Sequence, residues 1–261
     1  MKVPLTMPLT VLTVPCLSDN YAFLIADPET GEAALVDIPE AGPINAALAD
    51  KGWTLKTVLI THHHPDHIQG LPDLNTADDA VIIGAAADAH RLPALTKAVS
   101  EGDVFTVLGE EVQVFDVSGH TIGHIAFYMP GISHVFTADS LMALGCGRLF
   151  EGTPDQMWQS LTKLAALPDD TTVCSGHEYT AANAKFALTI DPTNARLISR
   201  QADIVSARKK NLPTVPSLLG LEKQTNPFLR AADPAIRQHL GLQNATDADV
   251  FAEIRRRKDD F

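Results

Sequence analysis

The chain has 261 residues, 45% of them hydrophobic, which is ample for a packed core in one large domain or in a main domain with a smaller appendage. Its formal charge of -12 argues against a general nucleic-acid binder, because phosphates need basic surface to neutralise them, so any anionic substrate requires a local basic patch. Residues 1–15 carry Pro4, Pro8 and Pro15 and lack the apolar core of a secretory signal, and no later run reaches the roughly 18 apolar residues of a membrane span. Cys16, Cys146 and Cys174 are widely spaced without a Cys-x-x-Cys pair, so the expectation is a cytoplasmic protein with reduced, buried thiols.

Short apolar runs separated by Gly, Pro and Asp occupy 9–14, 22–26, 33–36, 57–60, 80–84, 104–108, 112–117, 125–129 and 135–138. They predict many short strands, with sheet packed on sheet. A helical patch at 43–51 makes the class mixed. At Thr153 the texture changes: Thr153, Pro154 and Gln156 offer an N-cap, a proline at the first helical position and a capping-box glutamine, and Met157, Leu161, Leu164 and Leu167 share a helical face. A helix over about 154–167 follows. Residues 171–174 make one last strand, after which 179–189, 192–210 and 247–258 read as helices, so a boundary falls near His177 with 1–177 before it and a helical region, 178–261, beyond.

Residues 61–67 read Thr-His-His-His-Pro-Asp-His directly after the apolar run 57–60. In extended backbone alternate side chains share a side, so His62 and His64 face one point while His63 faces elsewhere. The chain turns at Pro65, and Asp66 with His67 form a second pair of metal-competent groups, too crowded to join the first around one tetrahedral ion. Two metals are expected. Remote ligands should sit where strands end in tight turns: Ser118-Gly119-His120 follows the run 112–117, Ser175-Gly176-His177 follows 171–174, and Asp139 ends 135–138, where a carboxylate can bridge two cations. The first site would then be His62, His64 and His120, the second Asp66, His67 and His177, with Asp139 joining them. His124 rivals His120, and spacing favours His120 because it lies nearer the strand end; His124 then serves as a hydrogen-bond partner or core residue. His90 reads as sitting on a solvated helix, and His134 and His239 as structural. The set of five histidines and two aspartates suits zinc-like ions rather than calcium or magnesium, and iron and manganese accept the same ligands.

The pattern His62-x-His64-x-Asp66-His67 resembles that of the metallo-β-lactamase superfamily. The likeness extends to the glyoxalase II group, the hydroxyacylglutathione hydrolases, through Asp19-Asn20-Tyr21, Gly119-His120-Thr121 with Gly123-His124, Ala138-Asp139-Ser140, Gly145-Cys146-Gly147-Arg148, Phe150-Glu151-Gly152-Thr153, Ser175-Gly176-His177-Glu178-Tyr179-Thr180, Asn226-Pro227-Phe228-Leu229-Arg230 and the tail Arg255-Arg256-Arg257-Lys258-Asp259. The resemblance implies an α+β fold, an αββα sandwich followed by a helical glutathione-binding domain; two metals in the arrangement above, with His120 as the ligand; and hydrolysis of S-D-lactoylglutathione to glutathione and a 2-hydroxy acid in methylglyoxal detoxification. It also implies that Arg148, Phe150, Tyr179, Arg255 and Lys258 hold the glutathione. Arg148 and Phe150 stand where lysine and tyrosine are often found, which reshapes one cation and removes one hydrogen bond. Val36-Asp37-Ile38 replaces a more usual Val-Asp-Pro and reads as a turn variation without catalytic meaning.

Two divalent ions about 3.5 Å apart would lower the pKa of a shared water and hold hydroxide at neutral pH, with Asp66 orienting it, and a thiolate of pKa about 8.5 needs no dedicated acid to leave. The alternatives are a persulfide dioxygenase of the same fold with one iron, and a metal-binding protein without turnover; seven ligands exceed what a closed structural site needs. The partner expected is a small glutathione thioester, with no nucleic acid and no membrane, and a monomer.

Overall fold

The computed structural model describes residues 8–261; residues 1–7, including Pro4 and the start of the stretch read as lacking a signal, lie outside the described residues. Two compact units are formed, Met1–Phe115 with Phe127–Ser133, and Asp116–Ala126 with His134–Phe261. Among the described residues no helix is long and apolar enough to cross a membrane.

The first unit is built on a six-stranded sheet in sequence order, β1 (Thr10–Cys16), β2 (Asn20–Ala26), β3 (Glu32–Val36), β4 (Thr54–Leu59), β5 (Val81–Ala85) and β6 (Lys97–Val99). β1, β2 and β3 pair antiparallel and β3 to β6 pair parallel. Every residue of β2 is buried, which explains why it reads as a continuous apolar run rather than an alternation. The crossover from β3 to β4 is helix α1 (Ala41–Lys51), which buries Ala41, Ile44 and Leu48 and stops at Gly52, whose φ of 66° is the left-handed C-terminal conformation that glycine adopts without strain. A single helical turn, α2 (Pro65–Ile68), follows β4. The hairpin β7 (Val104–Val107) and β8 (Glu110–Asp116) closes this unit's main run.

Strand β9 (Ile125–Met129) begins in the second unit and ends in the first. Within the second unit β10 (His134–Ala138) pairs parallel with β13 (Thr172–Ser175), which pairs antiparallel with β14 (Ser217–Leu218), and β11 (Leu141–Met142) with β12 (Gly145–Cys146) makes a small hairpin. Its helices are α3 (Pro154–Ala165), α4 (Thr180–Ile190), α5 (Ala195–Lys209), α6 (Leu219–Thr225), α7 (Pro234–Leu240) and α8 (Asp247–Asp259). The Thr153–Gln156 capping box forms as the sequence predicts. The helix expected over 192–210 starts only at Ala195 because Asn194 caps it, accepting from the amides of Arg196 and Leu197. Short elements, namely α2, α6, α7, β6 and β14, gave no periodic signal. Leu144, Ala184, Ala187, Leu197 and Ile204 form a core between α4 and α5, and Phe228 packs between Phe186 and Phe251.

Candidate metal centre

In the first unit the ligand stretch leaves β4 beside the end of β3. Asp37, 3% exposed and left-handed at φ 59°, accepts from the Thr61 amide through Oδ1 at 2.9 Å and from Thr61 Oγ1 and His67 Nδ1 through Oδ2, each at 2.8 Å. A carboxylate only accepts, so His67 carries its proton on Nδ1 and presents a lone pair at Nε2. Because the Thr61 hydroxyl donates to Asp37, its oxygen accepts from His62 Nδ1 at 3.0 Å, which fixes the same tautomer in His62. His62 Nε2 and His64 Nδ1 then lie 3.1 Å apart. Two nitrogens each about 2.0–2.1 Å from one tetrahedral ion stand at roughly 3.3 Å, so this spacing fits a shared ion. Asp66 is held by Asn20, whose Nδ2 donates to its backbone carbonyl and its Oδ2, each at 3.1 Å, and that oxygen is 3.8 Å from His67 Nε2. His63 points elsewhere, with Nδ1 2.9 Å from the buried Asp88 carboxylate.

The second unit brings together His120, Asp139 and His177. Asp139 Oδ2 lies 3.5 Å from His120 Nε2 and 3.3 Å from His177 Nε2, again donor spacings suited to metal coordination. The register of β10 against β13 shifts between Phe136 and Ala138, and Ala138 takes a left-handed φ of 41°, so a local irregularity turns Asp139 out of the strand. His120 Nδ1 donates to the Arg148 carbonyl at 2.7 Å, leaving Nε2 for a metal. Gly147 permits this approach: a Cβ there would stand 2.0 Å from the Asp139 carbonyl oxygen and 2.9 Å from His120 Nδ1. The Phe150 ring meets that of His120 edge-on at 5.3 Å, and Tyr179 stacks on His177 at 4.6 Å. His124 is fully buried with Nδ1 3.1 Å from the Ile125 carbonyl.

The residues read as glutathione contacts divide by exposure. Phe150 and Tyr179 are exposed at 63% and 41%, and Arg148 is 59% exposed with Nε 3.5 Å from Asp259. Arg255 is buried at 5%; it donates to the Cys146 carbonyl at 3.0 Å and to Asp259 at 2.8 Å, and its guanidinium lies over Phe228. Lys258 lies over Phe186 and Phe261, and burial, followed by the nearby Arg255, pulls its pKa down while Asp259 pulls it up. Burial pushes the Cys16 and Cys146 thiols each up to about 11, so neither is a nucleophile at neutral pH.

Sequence reasoning missed the residues that organise these groups. Asp37, which the sequence reading passed over, orders Thr61 and His67; its signal was a carboxylate at the end of a strand, the same placement that marked Asp139. Asn226 donates to the carbonyls of Met142 and Gly145 at 3.1 and 3.0 Å and Glu222 accepts from the Leu144 amide at 2.8 Å, so these two side chains fasten the β11–β12 hairpin that leads to Arg148. Glu222 is itself paired with Arg200.

Residues 18–177 match the metallo-β-lactamase superfamily and residues 178–261 match the hydroxyacylglutathione hydrolase C-terminus. A metallo-β-lactamase from Staphylococcus aureus superposes with a TM-score of 0.62 at 22% identity over 95% of this chain and 70% of that one. The fold is the metallo-β-lactamase fold with a C-terminal helical domain, as the sequence implied. Hydroxyacylglutathione hydrolases of Ruegeria pomeroyi and Roseobacter denitrificans are 66% and 64% identical, each over 98% of this chain and 100% of its own length. The chain belongs to the hydroxyacylglutathione hydrolase family.

Proposed function

We propose that this protein hydrolyses S-D-lactoylglutathione and related glutathione thioesters to glutathione and a 2-hydroxy acid, as a step in methylglyoxal detoxification. The observation that carries the reading is the match of residues 178–261 to the hydroxyacylglutathione hydrolase C-terminus, because the ligand set alone would serve many hydrolases. Two divalent ions, zinc or else iron or manganese, would be held by His62, His64 and His120 and by Asp66, His67 and His177, with Asp139 as the shared donor; the donor spacings and fixed tautomers within each half support this. Bound there, such ions supply Lewis acidity and an acidified water. The chain's own work is to hold seven donors in place. Asp37 and the Arg148 carbonyl keep imidazole protons on Nδ1, Asn20 steers Asp66, and Arg148, Phe150, Tyr179, Arg255 and Lys258 orient the tripeptide, Arg255 from a buried position. The division of labour follows 1–177 for catalysis and 178–261 for glutathione, with Arg148 and Phe150 added to the glutathione contacts from the first. The protein acts as a cytoplasmic monomer without nucleic-acid partners.

The test is hydrolysis by the metal-loaded protein of S-D-lactoylglutathione against a β-lactam, a phosphodiester and glutathione persulfide. Clear preference for the thioester is expected. Oxygen consumption with the persulfide and no thioester cleavage would establish the mononuclear dioxygenase instead.

A further inference from the structure

Asp259 stands among three cations of the second unit, Arg148, Arg255 and Lys258. Its Oδ1 accepts from Arg255 at 2.8 Å and lies 3.5 Å from Arg148 Nε, and its charge is felt at Lys258 together with those of Arg255 and Arg148. Helix stability does not account for a carboxylate here. Asp259 is the last residue of α8, where the helix dipole disfavours negative charge, and Arg255 four residues before it is the weaker order for a helical ion pair. Nor is Asp259 needed to close a core, since its side chain is 39% exposed.

The two contacts differ in kind. Arg255 is buried and anchored on the Cys146 carbonyl, so its pair with Asp259 is fixed, whereas the Arg148 side chain is 59% exposed and its contact is long. An exposed pair of that length is easily exchanged for another carboxylate. A carboxylate that stayed on Arg255 would repel such a newcomer.

We propose that Asp259 is an affinity-setting residue, an internal carboxylate that competes with a glutathione carboxylate for Arg148 and so weakens the hold on substrate and on product alike. The inference rests on the proposed function. Free glutathione keeps both carboxylates after the thioester is cleaved, so a site with unopposed cations would retain its product. Binding shared by ground state, transition state and product does not speed the chemical step, and weakening it assists release. Besides its part in orienting the tripeptide, Arg255 holds Asp259 in place.

The experiment is Asp259→Asn in the metal-loaded protein, with Asp259→Ser as the second variant should the first not fold. For S-D-lactoylglutathione, KM and the inhibition constant of free glutathione should both fall about five-fold, with no gain in kcat. The effect should fade in about 1 M salt and be absent for S-lactoyl-N-acetylcysteamine, a thioester without carboxylates. An unchanged or raised KM for the glutathione thioester, or an equal fall for the neutral thioester, overturns the proposal. If the unaltered protein does not cleave the glutathione thioester, the proposed function fails by itself; calorimetric titration with glutathione then decides about Asp259, and equal affinity in variant and parent overturns its role.

Discussion

Asp37 and Asp259 are each one carboxylate gathering several partners, and they differ in solvent. Asp37 is 3% exposed and spends both oxygens on Thr61 and His67, while the Asp259 side chain is 39% exposed and shares one oxygen between a buried and an exposed arginine. Hydrogen bonds to a buried charged group are worth about 1.5–3 kcal/mol each, whereas an exposed ion pair contributes roughly 0–1 kcal/mol. The first environment therefore fixes a tautomer and a ring orientation, and the second leaves charges free to exchange partners. Fixed geometry belongs with metal chemistry; exchangeable charge belongs with a ligand that must arrive and leave.

The strongest test of the fixed side is Asp139, whose Oδ2 is within 3.5 Å of two imidazole nitrogens. Asp139→Ala should lower turnover at saturating substrate by about a thousand-fold or more and reduce the metal content found by elemental analysis. Near-normal turnover with full metal occupancy would remove Asp139 from the ligand set. Asp37→Asn is the next largest. Asparagine tolerates the left-handed φ of 59° at this position, so the backbone should hold, yet a neutral amide cannot replace both carboxylate oxygens as acceptors. Metal affinity measured against a competing chelator should fall about 10–100-fold. Unchanged affinity would mean that His67 needs no orienting partner, and the contrast with Asp259 would collapse.

How far the sequence could see follows the same division. That His62 and His64 face one point could be read from the alternation of extended backbone, and their donor nitrogens do lie 3.1 Å apart; Asp66 and His67 sit on the single turn α2, where no period orients them. That His120 and His177 meet Asp139 was expected from apolar runs that stop at strand ends, and the second unit brings both imidazoles within 3.5 Å of the Asp139 carboxylate. The fold class followed from those runs, and the capping box at Thr153 gave α3 its start. Asp37 was invisible as an organiser because its partners lie 24 and 30 residues away, and only the parallel pairing of β3 with β4 brings them to it. Asp259 was read as part of a charged tail because nothing in the spacing of α8 says that Arg255 is buried. Short elements such as α6 were missed since one or two turns carry no period; yet Glu222 of α6 is fully buried, paired with Arg200 and bound to the Leu144 amide, so its place is set by tertiary contacts.

The smallest effects separate the two tail cations, which sequence spacing treats alike. Arg255 is buried against Phe228 and the Cys146 carbonyl, so Arg255→Ala removes packing and leaves a buried acceptor unpaired; stability in urea should drop by about 2–3 kcal/mol and any kinetic change will be mixed with that loss. Lys258 rests over Phe186 and Phe261, and among the described residues it has no comparable fixed hydrogen bond. Lys258→Ala should cost less than about 1 kcal/mol of stability, raise KM for the glutathione thioester a few-fold and leave kcat near its parent value, because a cation far from the scissile bond contributes equally to ground and transition states. If instead Lys258→Ala lowered kcat and left KM alone, the lysine would act in the chemical step. The reading of this tail as a hold on the tripeptide would then fail, because a cation that only grips the ligand sets how tightly it is held and not how fast its thioester is cut.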